Sequence, residues 1–383
     1  MQTEHMMRSK TVLFLLTASV LIPGWIGPGL RAGAAPKPAL KDVFKGSFLI
    51  GAAVSQRVFT GEDSHAAALV QAQFDTISPE NALKWQSVHP KPDTYNFALA
   101  DQYVDFGERN HMAVIGHNLV WHFQTPDWVF QDSNGGPASR DALLERMREH
   151  IHTVVGRYKG RIKGWDVVNE ALNADGTLRQ SPWFKIIGQD YLAKAFEFAH
   201  EADPGAELYY NDYSLEGDAK RRGAIRLIKA LKSQGISITG IGLQGHSTLD
   251  QPTLAQEDAT ISDFAKLGIK VMITELDIDV LPGATEHRGA DIHTKIELSD
   301  KLNPFKIGLP EPVQIELAQR YAALFRVFLK HRDVITRVTF WGVTDRDSWL
   351  NNWPVQGRTN YPLLFDRSYR PKLAFDSVIQ AAE

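Results

Sequence analysis

From residue 48 to the C-terminus, short apolar runs alternate with stretches whose apolar residues recur every three or four positions. The runs at 48–53, 73–77, 112–118, 164–169, 206–211, 239–244, 269–275 and 336–341 read as buried strands. Helical spacing is clearest in 139–156, 189–202, 217–234 and 311–331. Strand-like runs each followed by helix-compatible sequence predict a single (β/α)8 TIM barrel of the α/β class rather than an open sheet. A further helix is expected to open at Ser78-Pro79-Glu80, where a capping serine, a proline at the first helical position and an acid in the first turn coincide. The interval 281–312 is long, rich in Pro and Gly, and of mixed charge. Such an excursion on a barrel is expected to lie over the active face or to be mobile. No internal repeat or low-complexity tract calls for a second domain.

The N-terminus has a different pattern. Arg8 and Lys10 precede an apolar stretch from Val12 to Ile26, and Ala32-Gly33-Ala34 offers small residues at a cleavage site. Residues 1–34 are therefore expected to be a cleavable signal peptide, 35–44 a short linker, and 45–383 the catalytic domain. An uncleaved anchor is the alternative, but Pro23 and Gly24 interrupt a stretch already shorter than the roughly 20 residues a span needs. Cleavage would leave 39 basic and 44 acidic residues and move the net charge from −3 to −5. With no basic run, the chain is not expected to bind nucleic acid. It has no cysteine, which excludes disulfides, thiol nucleophiles, zinc-thiolate sites and a lipoprotein anchor through cysteine. Its nine tryptophans lie mostly in polar, turn-like stretches, where indole rings suit flat sugar faces.

Two of the strand-like runs end in a glutamate. Trp165-Asp166-Val167-Val168-Asn169-Glu170 and Val271-Met272-Ile273-Thr274-Glu275-Leu276-Asp277 each deliver a carboxylate where a barrel enzyme keeps its chemistry. Two carboxyls facing one sugar, about 5–5.5 Å apart, suffice for glycosidic cleavage with retention. One must start protonated and the other ionised. Glu80 and Lys84, four apart on the expected helix, would share a face with Asn81 beside them. Gln244 and His246 alternate to one side of a strand end, as do Glu275 and Asp277. A hydrogen bond from His246 toward Glu275, steadied by Asp277, would fix one rotamer. Lys84 would favour ionised carboxylates, whereas repulsion from Glu275 would raise the pKa of Glu170. His117 and His122 are five apart and match no metal-ligand spacing, so no metal is expected. Trp85 and Trp165 remain open between packing and contact.

The runs WDVVNEAL, ITELDI, GHNLVWH (116–122), SPENALKW (78–85), GIGLQGH (240–246) and FWGVTDRDSW (340–349) together resemble glycoside hydrolase family 10, the endo-β-1,4-xylanases. The resemblance covers residues 45 to 380. It implies Glu170 as acid/base and Glu275 as nucleophile. It implies that Glu80, Asn81 and Lys84 hold the sugar on the non-reducing side, with His117 and Trp121 as hydroxyl ligand and wall. Asn169, Gln244 and His246 would surround the nucleophile. Trp341 and Trp349 would form the aromatic floor and lid, with Tyr213 toward the leaving-group side. Leu83, Asn118 and Phe123 depart from the usual pattern and bear on fine substrate preference.

The reading that follows is an exported, retaining endo-xylanase acting on xylan and xylo-oligosaccharides. It needs no cofactor, has no stable membrane anchor and is expected to be a monomer. An endo-β-1,4-glucanase is the nearest alternative enzyme. A non-catalytic sugar-binding barrel is the alternative outside enzymes, and it would not need both carboxylates.

Overall fold

Parallel strands close on themselves in the computed structural model, which describes residues 38–283 and 296–383. They are β1 (Leu49–Val54), β2 (Thr76–Pro79), β3 (Ala113–Val120), β4 (Gly164–Asn169), β5 (Glu207–Asp212), β6 (Gly240–Leu243), β7 (His246–Thr248), β8 (Lys270–Asp279) and β9 (Ile335–Phe340). The order runs β6-β5-β4-β3-β2-β1-β9-β8-β7, and pairing of β6 with β8 closes the ring. Strands β6 and β7 are two lengths of one stave, interrupted at Gln244-Gly245, where Gly245 takes a φ of +79°. That makes eight staves and a (β/α)8 barrel, as the alternating pattern implies. The expected helices appear as Arg140–Arg157, Tyr191–Ala202, Asp218–Ser233 and Glu311–Lys330.

The helix expected at Ser78-Pro79-Glu80 is absent. Ser78 and Pro79 are the last residues of β2, paired with Ala53 and Val54, and only the short helix Trp85–Val88 follows. A proline φ near −65° serves a strand end as well as a helix start, so the local signal was ambiguous. Glu80 and Lys84 therefore share no helical face.

The linker expected over 35–44 also needs correction. Leu40–Val43 is a helix, and Leu40 and Phe44 are fully buried. Phe44 stacks on Phe48 at 5.3 Å and meets Phe325 at 5.1 Å. Residues 1–37, which hold the expected signal peptide, lie outside the described residues.

Part of the 281–312 excursion, residues 284–295, is likewise outside them. The portion from Ile296 onward packs against the segment after β9. Ile296 bridges Val355, Asn303 Oδ1 accepts from Thr359 N at 2.9 Å, and Tyr361 OH donates to Phe305 O at 2.7 Å. This braces the loop that carries Trp349 and Trp353.

Trp85 and Trp165 are core residues. Trp85 stacks on His150 at 3.6 Å, and Trp165 lies so close to Gly116 that a Cβ there would approach its ring to 2.0 Å.

Candidate active site

At the C-terminal ends of the strands lies an open cleft of about 230 Å³. Glu170 enters it from a backbone turn just past β4, with a φ of +58° that non-glycine residues rarely adopt. The turn is held from both sides. Glu170 N donates to Asn211 O at 2.9 Å, and its carbonyl accepts from Arg179 Nε at 3.1 Å. Its carboxyl accepts from Trp121 Nε1 and from Gln244 Nε2, each at 2.9 Å. Burial raises the Glu170 pKa, the Asp212 charge raises it further, and these effects outweigh the two hydrogen bonds. Repulsion from Glu275 acts in the expected direction but is a smaller cause than burial or Asp212.

Glu275 comes from within β8, and its surroundings shift its pKa in the opposite direction. Burial alone would raise its pKa. The hydrogen bond from His246, the nearby His117 and the amide of Asn211 reverse that and hold it below the ordinary carboxylate value. Asn211 Nδ2 donates to Glu275 Oε1 at 2.8 Å, and His246 Nε2 lies 3.3 Å from Oε2. Asn211 Nδ2 also donates to Asn169 Oδ1 at 2.9 Å, and Gln244 Nε2 lies 3.5 Å from that same oxygen. A chain of side-chain amides thus links the two carboxyls and limits how either can rotate.

The remaining candidates fall into place around this pair. Glu80, Asn81 and Lys84 converge through the loop after β2, with Lys84 Nζ donating to Asn81 Oδ1 at 3.1 Å and to Gln124 Oε1 at 2.8 Å. Lys84 also lies 5.0 Å from the centre of the Trp121 ring. His117 is oriented by Asp166, 2.9 Å from its Nδ1, and meets the Trp341 ring edge-on at 5.4 Å. Tyr213 lines the cleft and its hydroxyl accepts from Arg179 Nη2 at 3.0 Å. Asp277 stands behind the surface, where its carboxylate accepts from His246 Nδ1 at 2.9 Å and from Trp349 Nε1 at 2.7 Å.

Every substrate-site residue expected from the sequence lines this one cleft: Glu80, Asn81, Lys84, His117, Trp121, Asn169, Glu170, Tyr213, Gln244, His246, Glu275, Trp341 and Trp349. Gln124, Ser214 and Trp353 line it as well and were not anticipated. Neither were Asn211 and Asp212, although both sit at the end of β5, the position that was informative for Glu170. Gln124 gave no signal of its own, since its partners are about forty residues away in sequence. Among the described residues, no group of three or more acidic or histidine side chains is placed to hold a metal ion.

Chemically, the cleft presents one carboxyl whose pKa is raised and one whose pKa is lowered, between aromatic walls. A profile described as glycosyl hydrolase family 10 matches residues 39–381. Endo-1,4-beta-xylanase A of Xylanibacter ruminicola is 44% identical over 354 residues, spanning 92% of this chain and 96% of that protein. A beta-1,4-xylanase of Dictyoglomus thermophilum is 44% identical over 345 residues, 90% and 91% of the two chains. Among solved structures, a GH10 endoxylanase retrieved from a sugarcane soil metagenome superimposes with a TM-score of 0.86 at 44% identity, covering 91% of this chain and all of its own. A Paenibacillus barcinonensis xylanase complexed with a conduramine derivative gives 0.81 at 39% identity, covering 90% and 99%. With a profile match over nearly all of its described length and relatives this similar across whole chains, the protein belongs to glycosyl hydrolase family 10.

Proposed function

We propose that this protein is an endo-β-1,4-xylanase that cleaves internal bonds of xylan with retention of configuration. The observation that carries the reading is the placement of Glu170 and Glu275 in one cleft, joined through the amides of Gln244, Asn169 and Asn211, with surroundings that raise the pKa of the first and lower that of the second. The xylanases among its relatives support the choice of substrate. Glu170 gives its proton to the glycosidic oxygen as Glu275 attacks the anomeric carbon, breaking the bond to the leaving sugar and forming a glycosyl ester. Water then attacks that carbon, yields its proton to Glu170, and releases Glu275 as a carboxylate. Ester formation removes the negative charge of Glu275, so Glu170 loses a proton more readily in the second step.

Lys84, Asn81 and Glu80 bind the sugar on the non-reducing side, and Trp341 and Trp349 enclose the reacting ring. Cleavage after Ala34 would export the enzyme, and the mass of the secreted chain tests that part separately.

Reducing-sugar release from xylan tests the activity. Glu275→Ala should abolish it, and azide should restore turnover as an α-glycosyl azide, because the small anion enters from the face Glu275 occupied. An α-azide product from Glu170→Ala instead would reverse the two roles.

A further inference from the structure

We propose that Asp212, held by Lys220 and Tyr210, is a positioning residue for Glu170: it fixes the backbone turn that aims this carboxyl into the cleft and sets a buried negative charge beside it. The inference rests on Glu170 being the acid/base.

Asp212 is fully buried at the end of β5 and Lys220 is nearly so in the first turn of helix Asp218–Ser233. Lys220 Nζ meets Asp212 Oδ1 at 2.7 Å. The other carboxylate oxygen accepts from Tyr210 OH at 2.5 Å, and Tyr210 OH in turn accepts from Ala171 N at 3.2 Å. Ala171 directly follows Glu170. A hydroxyl that donates to a carboxylate becomes a better acceptor, so Asp212 strengthens the bond that secures the left-handed turn. The same carboxylate accepts from Tyr213 N at 2.9 Å, and Lys220 Nζ lies 3.5 Å from the centre of the Tyr213 ring. One buried ion pair therefore anchors the residue after Glu170 and a wall of the cleft.

The second consequence is electrostatic. Other charged or titratable groups also approach Glu170: Glu275 from β8, Lys84 from the β2 loop, Arg179 from the β4 loop and Tyr213 from the β5 loop. Of these neighbours Asp212 raises the Glu170 pKa most, after burial itself. A proton retained to higher pH extends the range in which Glu170 can act as acid.

The test measures kcat/KM against pH with two substrates. Xylotetraose needs a proton on its leaving oxygen, whereas 2,4-dinitrophenyl β-xylobioside does not. Asp212→Asn removes the charge but leaves Lys220 uncompensated, so Asp212→Asn/Lys220→Met, which buries no unpaired charge, serves as the partner variant. On xylotetraose the alkaline limb of both variants should move about one pH unit downward, a loss of roughly tenfold at any pH above it. On the dinitrophenyl substrate both should stay within about twofold of wild type. A folded double variant with an unmoved limb overturns the proposal, as does an equal loss on both substrates at every pH. A wild-type alkaline limb that persists in Glu170→Gln would instead remove the acid role of Glu170, and the inference with it.

Discussion

The Nε2 of His246 lies 3.3 Å from Oε2 of Glu275, and this contact is the leading reason that a buried carboxylate stays ionised. Burial would favour a neutral imidazole, but Asp277 and then Glu275 push the His246 pKa up to about 10. The His246 contribution to stability is complete below its ordinary 6.5 and fades as pH rises through about 10. The Glu275 contribution is complete above its ordinary 4.5 and is lost as pH falls through the depressed folded value. His246→Asn should therefore move the acid limb of kcat/KM upward, toward the ordinary carboxylate range. It should lower kcat/KM roughly ten- to hundredfold, the worth of one hydrogen bond to a charged group. The melting temperature of the variant should also lose its decline above pH 6.5. An acid limb that stays in place would show that His246 does not govern Glu275.

A glycine controls the other support of the nucleophile. A Cβ on Gly242 would come within 2.2 Å of Asn211 Oδ1 and 2.8 Å of Thr274 Cγ2. Asn211 accepts from the Thr274 hydroxyl through that oxygen at 2.7 Å while its amide holds Glu275. Gly242→Ala should displace Asn211 and cost at least about tenfold in kcat/KM, with about 1–3 kcal/mol of stability lost to overpacking. Steady-state kinetics beside a thermal melt separates the two effects. Unchanged activity in a destabilised variant would mean that Asn211 does not orient Glu275.

The sequence disclosed what repeats and what sits at strand ends. Periodicity located every stave, and Glu170 just past β4 and Glu275 in the C-terminal half of β8 were legible because a barrel gathers such positions on one face. Asp212 occupied an equivalent position at the end of β5 but had no carboxylate partner in sequence to suggest a role. Its importance comes from Lys220 and Tyr210, which only the packing of helix on strand brings to it. Gln124 was invisible for the same reason. Pro79 misled because one φ value suits two elements, and Lys84 reached Asn81 through a loop rather than along a helix. Local rules failed where the loops begin.

The short helix Leu40–Val43 is tied to the end of helix Ser64–Gln73, with Leu40 N donating to Gln73 Oε1 at 3.0 Å. Because Phe44 is fully buried between Phe48 and Phe325, Phe44→Ala should cost about 3–5 kcal/mol. A chain begun at Pro38 should melt like the longer protein, whereas one begun at Gly46 should melt well below it. Denaturant unfolding of the three forms checks this. Equal midpoints for all of them would return the segment to the status of a linker.

Trp349 and Trp353 stack at 4.8 Å with their planes 17° apart, and both line the cleft. Trp349 is held at its other edge by Asp277, so the ring is secured between that hydrogen bond and the Trp353 stack. Xylose has no hydroxymethyl group at C5, and a rigid indole wall beside the reacting ring would reject the larger glucose unit by steric exclusion. Trp353→Ala removes a stack worth about 0.5–1.5 kcal/mol and leaves Trp349 free to yield. Hydrolysis of xylan should fall about two- to tenfold, while the rate on a soluble cellulose derivative should hold or rise, so their ratio shifts toward cellulose. Trp353→Phe, which keeps a ring in the stack, should lie between wild type and the alanine variant. If both rates fall in proportion, the pair supports the fold of the loop and selectivity resides elsewhere in the cleft.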